Sequence, residues 1–179
     1  LKTGTYEIGD VVASTSPSMD IQVSSNFERL LFEATGRNAA EVCRLMRELT
    51  EKRKFSLSSN VLDVIRGSFA AERVDEVETA KIIKDMFEKD GMLLDPHTAV
   101  GYGAALRSDL PVSTPIVTLA TAHPAKFPAS VEKACNRQAE EIIDTPERVK
   151  VMMKQDETYE TYPNDLAQVQ DFIRQRKTD

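Results

Sequence analysis

Helical patterns outnumber strand patterns so strongly in this sequence that no sheet of ordinary size can be closed within it. Only residues 10–15 and 116–119 have the short apolar, β-branched composition of strands. Helices are predicted to begin near residues 26, 38, 59, 75, 95, 128, 145 and 164. We therefore expect a predominantly helical segment with a few buried strands, which completes a larger α/β domain.

Several predicted helices carry their own start and stop signals. Ser25 and Glu28 have the spacing of a capping box, in which a hydroxyl accepts from a first-turn amide while the carboxylate reaches back. Asp95 precedes Pro96, which is favoured at the first helical position because its missing amide costs nothing there. Gly91 is a C-terminal stop. Further N-caps are predicted at Asn38, Ser59 and Asp75.

Composition narrows the classes of function. The chain of 179 residues has a formal net charge of −6, which argues against a nucleic-acid-binding surface. No apolar run approaches the length of a membrane span. Its two cysteines lie far apart and have no histidine at metal-binding spacing, so we expect free thiols in a reducing cytoplasm and no metal site.

One segment combines a predicted strand with polar groups at its end. Residues 115–127 read PIVTLATAHPAKF, an apolar run closed by small residues and a proline. Ligands of open α/β sheets lie beyond the carboxyl ends of strands, where Thr121 and His123 fall. Thr121 is the strongest candidate for a cofactor contact. The alternative is a threonine that satisfies only backbone groups.

Three further side chains are candidates for substrate binding or for support of the site. His97 and His123 both lie beside a proline at a loop–helix junction, where each could orient a substrate or bond only to backbone. Lys126 could meet a phosphate as a point charge, or could be a solvated residue at a helix start.

Three long stretches resemble threonine synthase. They are STSPSMDIQVSSNFERLLF at residues 14–32, DPHTAVG at residues 95–101, and the segment at residues 115–127 already described. The resemblance implies a pyridoxal 5'-phosphate enzyme of the tryptophan synthase β-like fold, type II, which converts O-phospho-L-homoserine and water to L-threonine and phosphate. The matching segments follow the family's order and together span most of residues 1–127 from first to last.

The resemblance also implies a division of the chain and roles for its residues. Residues 1–25 and 92–127 would belong to the cofactor-binding domain, 26–91 to a helical segment, and 128–179 to a helical tail. A hydroxyl at Thr121 would face the pyridine nitrogen of the cofactor, with His97 and His123 near the pocket. No catalytic residue is assigned here, because the Schiff-base lysine and the glycine-rich phosphate loop are expected upstream.

The chain begins with Leu1, and we expect it to be a piece of a longer protein that is inactive by itself. Its partners would then be the remainder of its own chain and the small-molecule substrate. Two other hypotheses remain open at this stage. One is a related lyase that acts on another phosphorylated amino alcohol, and the other is a catalytically silent helical interaction module.

Overall fold

The computed structural model describes residues 1–176, most of which are helical or in connecting loops. The helices are α1 (Phe27–Ala34), α2 (Ala39–Lys52), α3 (Ser59–Arg66), α4 (Glu76–Asp90), α5 (Pro96–Leu106), α6 (Pro128–Cys135), α7 (Ala139–Ile142), α8 (Glu147–Met152) and α9 (Leu166–Arg176). Two 3₁₀ turns, Pro17–Met19 and Pro124–Lys126, and two strands, β1 (Thr5–Glu7) and β2 (Lys54–Ser56), are also formed. The chain divides into a first compact unit, Leu1–Asp144, and a second that begins at Thr145.

The first hydrophobic core joins the small sheet to α1, α2 and α3. Strands β1 and β2 pair antiparallel, with Tyr6 opposite Phe55. The two rings meet edge to face with their centroids 5.4 Å apart, an arrangement that the ring quadrupoles favour. Each of the three helices turns an apolar face toward Phe55. The buried members of this core are Leu31, Leu45, Leu49, Phe55 and Ile65.

The second core of the first unit joins α4, α5 and α6, together with the loop that precedes α5. Its buried members are Ile83, Leu94, Ala99, Val131 and Cys135. Burial raises the pKa of the Cys135 thiol because the apolar surroundings disfavour the thiolate. Leu94 and Ala99 lie on either side of the α5 N-terminus, so this core holds the start of α5 in the protein interior.

The predicted helix signals are confirmed where a local side chain can satisfy the helix end. Asn38, Asp75 and Asp95 each accept a hydrogen bond from an amide in the first turn of the following helix. Gly91 follows α4 in the left-handed conformation, with φ of 65°, which favours glycine.

The caps predicted at Ser25 and Ser59 are wrong. The residue before α1 is Asn26, whose backbone is already helical at φ −71° and ψ −17° and whose side chain makes no capping bond. A capping side chain reaches the amides from extended backbone, so this approach to α1 excludes a capping box. Helix α3 is capped one residue earlier than predicted, by Ser58, whose Oγ lies 3.5 Å from the Val61 amide nitrogen.

The strands predicted at residues 10–15 and 116–119 are not formed in this structure. Within residues 1–176, residues 115–120 make no hydrogen bond, whereas a strand requires a hydrogen-bonded neighbour. Their apolar side chains are exposed, with Val117 at 83% and Leu119 at 73%. The prediction is wrong for this structure because β-branched composition indicates only that the side chains suit a strand. A strand also needs a hydrogen-bonded neighbour, and the local sequence does not specify one.

The second unit contains α8 and α9, which a long exposed connection separates. The loop predicted at residues 156–163 is confirmed. Tyr162 of this loop packs on Phe172 of α9 with ring centroids 4.7 Å apart, and the Arg176 guanidinium lies 4.9 Å from the Phe172 ring centroid. Among residues 1–176, no helix has both the length and the apolar character needed to cross a membrane.

Two glycines of α5 allow a matched test of how closely this helix packs. A Cβ on Gly103 would lie 2.6 Å from Cδ1 of Ile82 and 3.0 Å from Cγ2 of Val74, whereas one on Gly101 would meet only Cγ2 of Thr118, at 3.6 Å. We expect Gly103→Ala to lower the free energy of unfolding by about 1 kcal/mol, since overpacking outweighs the gain in helix propensity.

Gly101→Ala is the control, and it should raise the free energy of unfolding by about 0.5–1 kcal/mol because its gain in helix propensity meets no clash. Urea unfolding of both variants measures the difference. Equal effects of the two substitutions would contradict close packing at Gly103.

Candidate functional site

The carboxylate of Asp95 joins several groups at the N-terminus of α5. Its Oδ1 accepts a hydrogen bond from the His97 amide at 2.9 Å and lies 3.0 Å from Nδ1 of the His97 ring. Its Oδ2 accepts a hydrogen bond from the Thr98 hydroxyl. The Asp95 side chain is fully buried, at 0% exposure. Burial of a carboxylate is costly unless it is well hydrogen-bonded, so this site depends on all of these donors.

The His97 ring connects Asp95 to the turn formed by Pro17–Met19. The Ser18 amide donates to Nε2 of His97 at 3.3 Å, so Nε2 is the unprotonated nitrogen. Nδ1 therefore carries the hydrogen and donates it to Asp95. The ring also packs on Phe127, with centroids 4.6 Å apart. His97 thus holds one tautomer and bridges segments that are far apart in the sequence.

The same turn is held from its other side by Ser14 and Asp20. The Ser14 hydroxyl and amide donate to Oδ1 and Oδ2 of Asp20 at 2.6 Å and 2.8 Å. These bonds hold the pKa of the Asp20 carboxyl below its ordinary value. The loop from Ser14 to Asp20 is therefore closed by hydrogen bonds between its two ends, and Ser18 attaches it to His97.

Thr121 is attached to α5 through its backbone. The Thr121 amide donates to the Thr98 hydroxyl oxygen at 3.2 Å. The Thr121 side chain is exposed, and its hydroxyl makes no hydrogen bond within residues 1–176. The backbone of Thr121 is therefore held in place, while its hydroxyl remains available to a ligand.

An open cleft of about 450 Å³ lies beside this connection. Asp95 and Thr98 line it from the start of α5, and Ala120 and Ala122, the neighbours of Thr121, line it from the following loop. A cavity of this size is within the range of small-molecule and cofactor sites. The other lining residues are Gly91, Met92, Leu93, Leu94, His123, Pro124, Ile142, Ile143 and Asp144.

His123 belongs to the cleft, and its tautomer is also fixed. Its Nδ1 accepts a hydrogen bond from the Ala125 amide at 3.1 Å, so the neutral ring carries its hydrogen on Nε2. Lys126 is placed differently, because its ammonium lies 5.8 Å from the centroid of the Phe127 ring and it does not line the cleft.

The structure therefore places His123 in the lining of the cleft and Thr121 between two of its lining residues, Ala120 and Ala122. His97 and Lys126 do not line the cleft, although His97 contacts the lining residue Asp95. Sequence reasoning missed two contributors, Thr98 and Ser18. Thr98 could have been suspected because a hydroxyl in the first turn of a helix lies near its cap carboxylate. Ser18 gave no local signal, since it meets His97 across 79 positions of sequence.

Comparison with known proteins places these features in a family. Residues 98–173 match the family described as Threonine synthase, C-terminal. A threonine synthase of Pseudomonas aeruginosa is 41% identical over 170 residues, which cover 95% of this chain and 36% of that protein. The chain belongs to the threonine synthase family.

Other threonine synthases agree in sequence and in structure. The Saccharomyces cerevisiae protein is 40% identical over 151 residues, covering 75% of this chain and 29% of that protein. The crystal structure of a PLP-bound threonine synthase from Brucella melitensis superposes with a TM-score of 0.82 at 44% identity, covering 97% of this chain and 36% of that one. A yeast threonine synthase structure gives 0.80 at 33% identity, covering 99% and 39%.

These comparisons confirm the predicted fold class. The chain is a predominantly helical C-terminal segment of the α/β fold of threonine synthase. It spans about a third of the length of the curated threonine synthases it matches, with 36% in the Pseudomonas protein and 29% in the Saccharomyces protein.

Proposed function

We propose that this chain is the C-terminal part of a cytoplasmic threonine synthase that converts O-phospho-L-homoserine and water to L-threonine and phosphate. Similarity to the Pseudomonas threonine synthase over 95% of the chain carries the proposal, because this alignment leaves out so little of the chain. The remainder of the enzyme would supply the lysine that binds the cofactor and the loop that binds its phosphate. The isolated segment is then inactive, since it lacks the nucleophile for that bond.

The residues of the cleft fit pyridoxal 5'-phosphate as the cofactor. The Thr121 hydroxyl lacks a partner within residues 1–176, and the two neighbours of Thr121, Ala120 and Ala122, line an open space of about 450 Å³. Ala120 and Ala122 line this edge of the cleft with small side chains, which leaves room for a ring in the cleft. When bound, the cofactor supplies an electron sink that stabilises carbanions of the substrate.

The proposed role of Thr121 is to donate a hydrogen bond to the pyridine nitrogen. A hydroxyl donates to a neutral nitrogen without imposing full protonation, whereas a carboxylate there would favour the protonated ring and a stronger electron sink. The milder sink suits a reaction that must continue from the α-carbon of the substrate to its β- and γ-carbons.

His123 and Lys126 have different proposed roles. Nδ1 of His123 accepts the Ala125 amide, so Nε2 carries the ring hydrogen, and within residues 1–176 that hydrogen has no acceptor. It can therefore donate to an anionic group of the substrate. Lys126 can attract the departing phosphate only at longer range, because it does not line the cleft. His97 supports the site through Asp95 and Ser18.

The full-length enzyme tests this function directly. Incubated with O-phospho-L-homoserine, it should release threonine and phosphate in equal amounts, and should prefer this substrate over phosphoserine and phosphothreonine by about a hundredfold or more. A preference for either competitor would indicate a different lyase. Failure to bind pyridoxal phosphate or turn over any of the three would indicate an interaction module.

A further inference from the structure

The Thr98 hydroxyl is the one hydrogen-bonding partner, within residues 1–176, of the segment that carries Thr121. Residues 115–122 make a single hydrogen bond in this part of the chain, from the Thr121 amide to the Thr98 hydroxyl oxygen at 3.2 Å. Thr98 is buried, at 5% exposure, on a helix held in the second core. Within this part of the chain, Thr121 is therefore held by one bond to a rigid element.

The direction of that bond is set by Asp95. An ionised carboxylate can only accept hydrogen bonds, so the Thr98 hydroxyl must give its hydrogen to Oδ2 of Asp95. This leaves the lone pairs of the Thr98 oxygen to accept the Thr121 amide. Because Asp95 also accepts from the His97 amide and ring, its own orientation is fixed from the opposite side.

We propose that Thr98, oriented by Asp95, is a positioning residue that sets the position of the Thr121 hydroxyl next to the cleft residues Ala120 and Ala122. It acts through Thr121, since the amide and the hydroxyl of that residue share one Cα. The effect on cofactor binding rests on the function proposed above, whereas the connection between Thr98 and Thr121 is a property of this chain.

A purely structural role for Thr98 makes a different prediction. Any buried hydroxyl in the first turn of a helix contributes to stability, and its loss would weaken the fold without moving Thr121 in particular. Thr79 of α4 is the matched control: it is buried at 1% exposure, and its hydroxyl donates to the carbonyl of the N-cap Asp75 at 2.8 Å. Within residues 1–176, no hydrogen bond joins it to residues 115–122.

The test uses full-length enzyme with Thr98→Val, Thr98→Ser and Thr79→Val. In the cofactor-free protein, hydrogen exchange of the Thr121 amide should be about tenfold faster in Thr98→Val, because its acceptor is lost. Thr98→Ser restores the acceptor and should exchange like wild type. Thr79→Val should lower stability but leave exchange at Thr121 unchanged.

The second readout is the dissociation constant of pyridoxal phosphate. We expect Thr98→Val to weaken binding by about tenfold in the wild-type background, but by less than about twofold in a Thr121→Val background, where no hydroxyl remains to be positioned. Additive effects of the two substitutions would overturn the proposal. So would wild-type exchange at Thr121 in Thr98→Val.

A further variant covers the case in which Thr98→Val does not fold. Asp95→Asn keeps an N-cap acceptor but presents an amide donor toward Thr98, so it should also speed exchange at Thr121, and normal exchange there would count against the proposal. Should Thr121→Val itself leave cofactor affinity unchanged, the assignment of Thr121 would fail, while the exchange measurements would still decide whether Thr98 holds this segment.

Discussion

Replacing Thr121 by Val in the full-length enzyme should reduce cofactor affinity or turnover by about ten- to a hundredfold. Valine keeps the shape of the side chain but removes the donor, which leaves the pyridine nitrogen unpaired in its pocket. The loss of one such bond is worth about 1–3 kcal/mol. The affinity is measured by titrating cofactor-free protein with pyridoxal phosphate, and the turnover by phosphate release.

Two control variants distinguish the effect of the Thr121 hydroxyl from the effect of the side-chain shape. Thr121→Ser keeps the donor and should retain affinity within about threefold, because it loses only a methyl group. Thr121→Asp should instead favour the protonated pyridine ring and change the absorbance spectrum of the bound cofactor. Wild-type affinity and turnover in Thr121→Val would show that the hydroxyl is structural and that the assignment is wrong.

The parts of the fold that the sequence could predict are those controlled by neighbouring residues. Asp75 and Asp95 were predicted as helix caps because a cap needs only a short polar side chain and an amide two or three residues later. The cap expected at Ser25 failed because the chain enters α1 through helical backbone, and this follows from its surroundings in the fold. Strands β1 and β2 were not predicted, since their pairing joins Tyr6 to Phe55 across 49 positions.

In the candidate site, too, features within one short segment are predictable from the sequence, whereas contacts between distant positions are not. Thr121 and His123 are predicted as site residues because they occur together in one short segment, and the structure places residues of that segment, including His123, at a cleft. The connection from Thr98 to Thr121 spans 23 positions, and the contact of His97 with Ser18 spans 79. Such contacts depend on how α5 packs in the second core, and no periodicity or spacing in the sequence reports that packing.

The exposed apolar residues at 116–119 lead to the second large prediction. Within this chain Val117 is 83% exposed, but its β-branched, apolar neighbourhood is typical of a strand that is covered on both faces. Because the chain spans only 36% of the Pseudomonas threonine synthase, we expect the remainder of the enzyme to provide the neighbouring strands. Val117 should then be buried in the full-length protein.

Val117→Asp in the full-length enzyme should therefore prevent stable folding, because an unpaired carboxylate in the sheet costs several kcal/mol, a large part of the stability of a typical domain. The matched control is Val112→Asp. Val112 is also exposed, at 105%, but it lies in a turn closed by a hydrogen bond from the Thr114 amide to the Pro111 carbonyl at 2.8 Å. A carboxylate at that position stays in water, so this variant should change the free energy of unfolding by less than about 0.5 kcal/mol.

Soluble yield and urea unfolding of the two full-length variants measure the contrast. Equal tolerance of both substitutions would mean that residues 116–119 remain exposed in the complete enzyme, as they are in this chain. The segment would then be a surface loop, and Thr121 would lack the sheet edge that the proposed cofactor contact requires. A severe effect at Val117 alone would place Thr121 directly after a buried strand, where open α/β sheets bind their ligands.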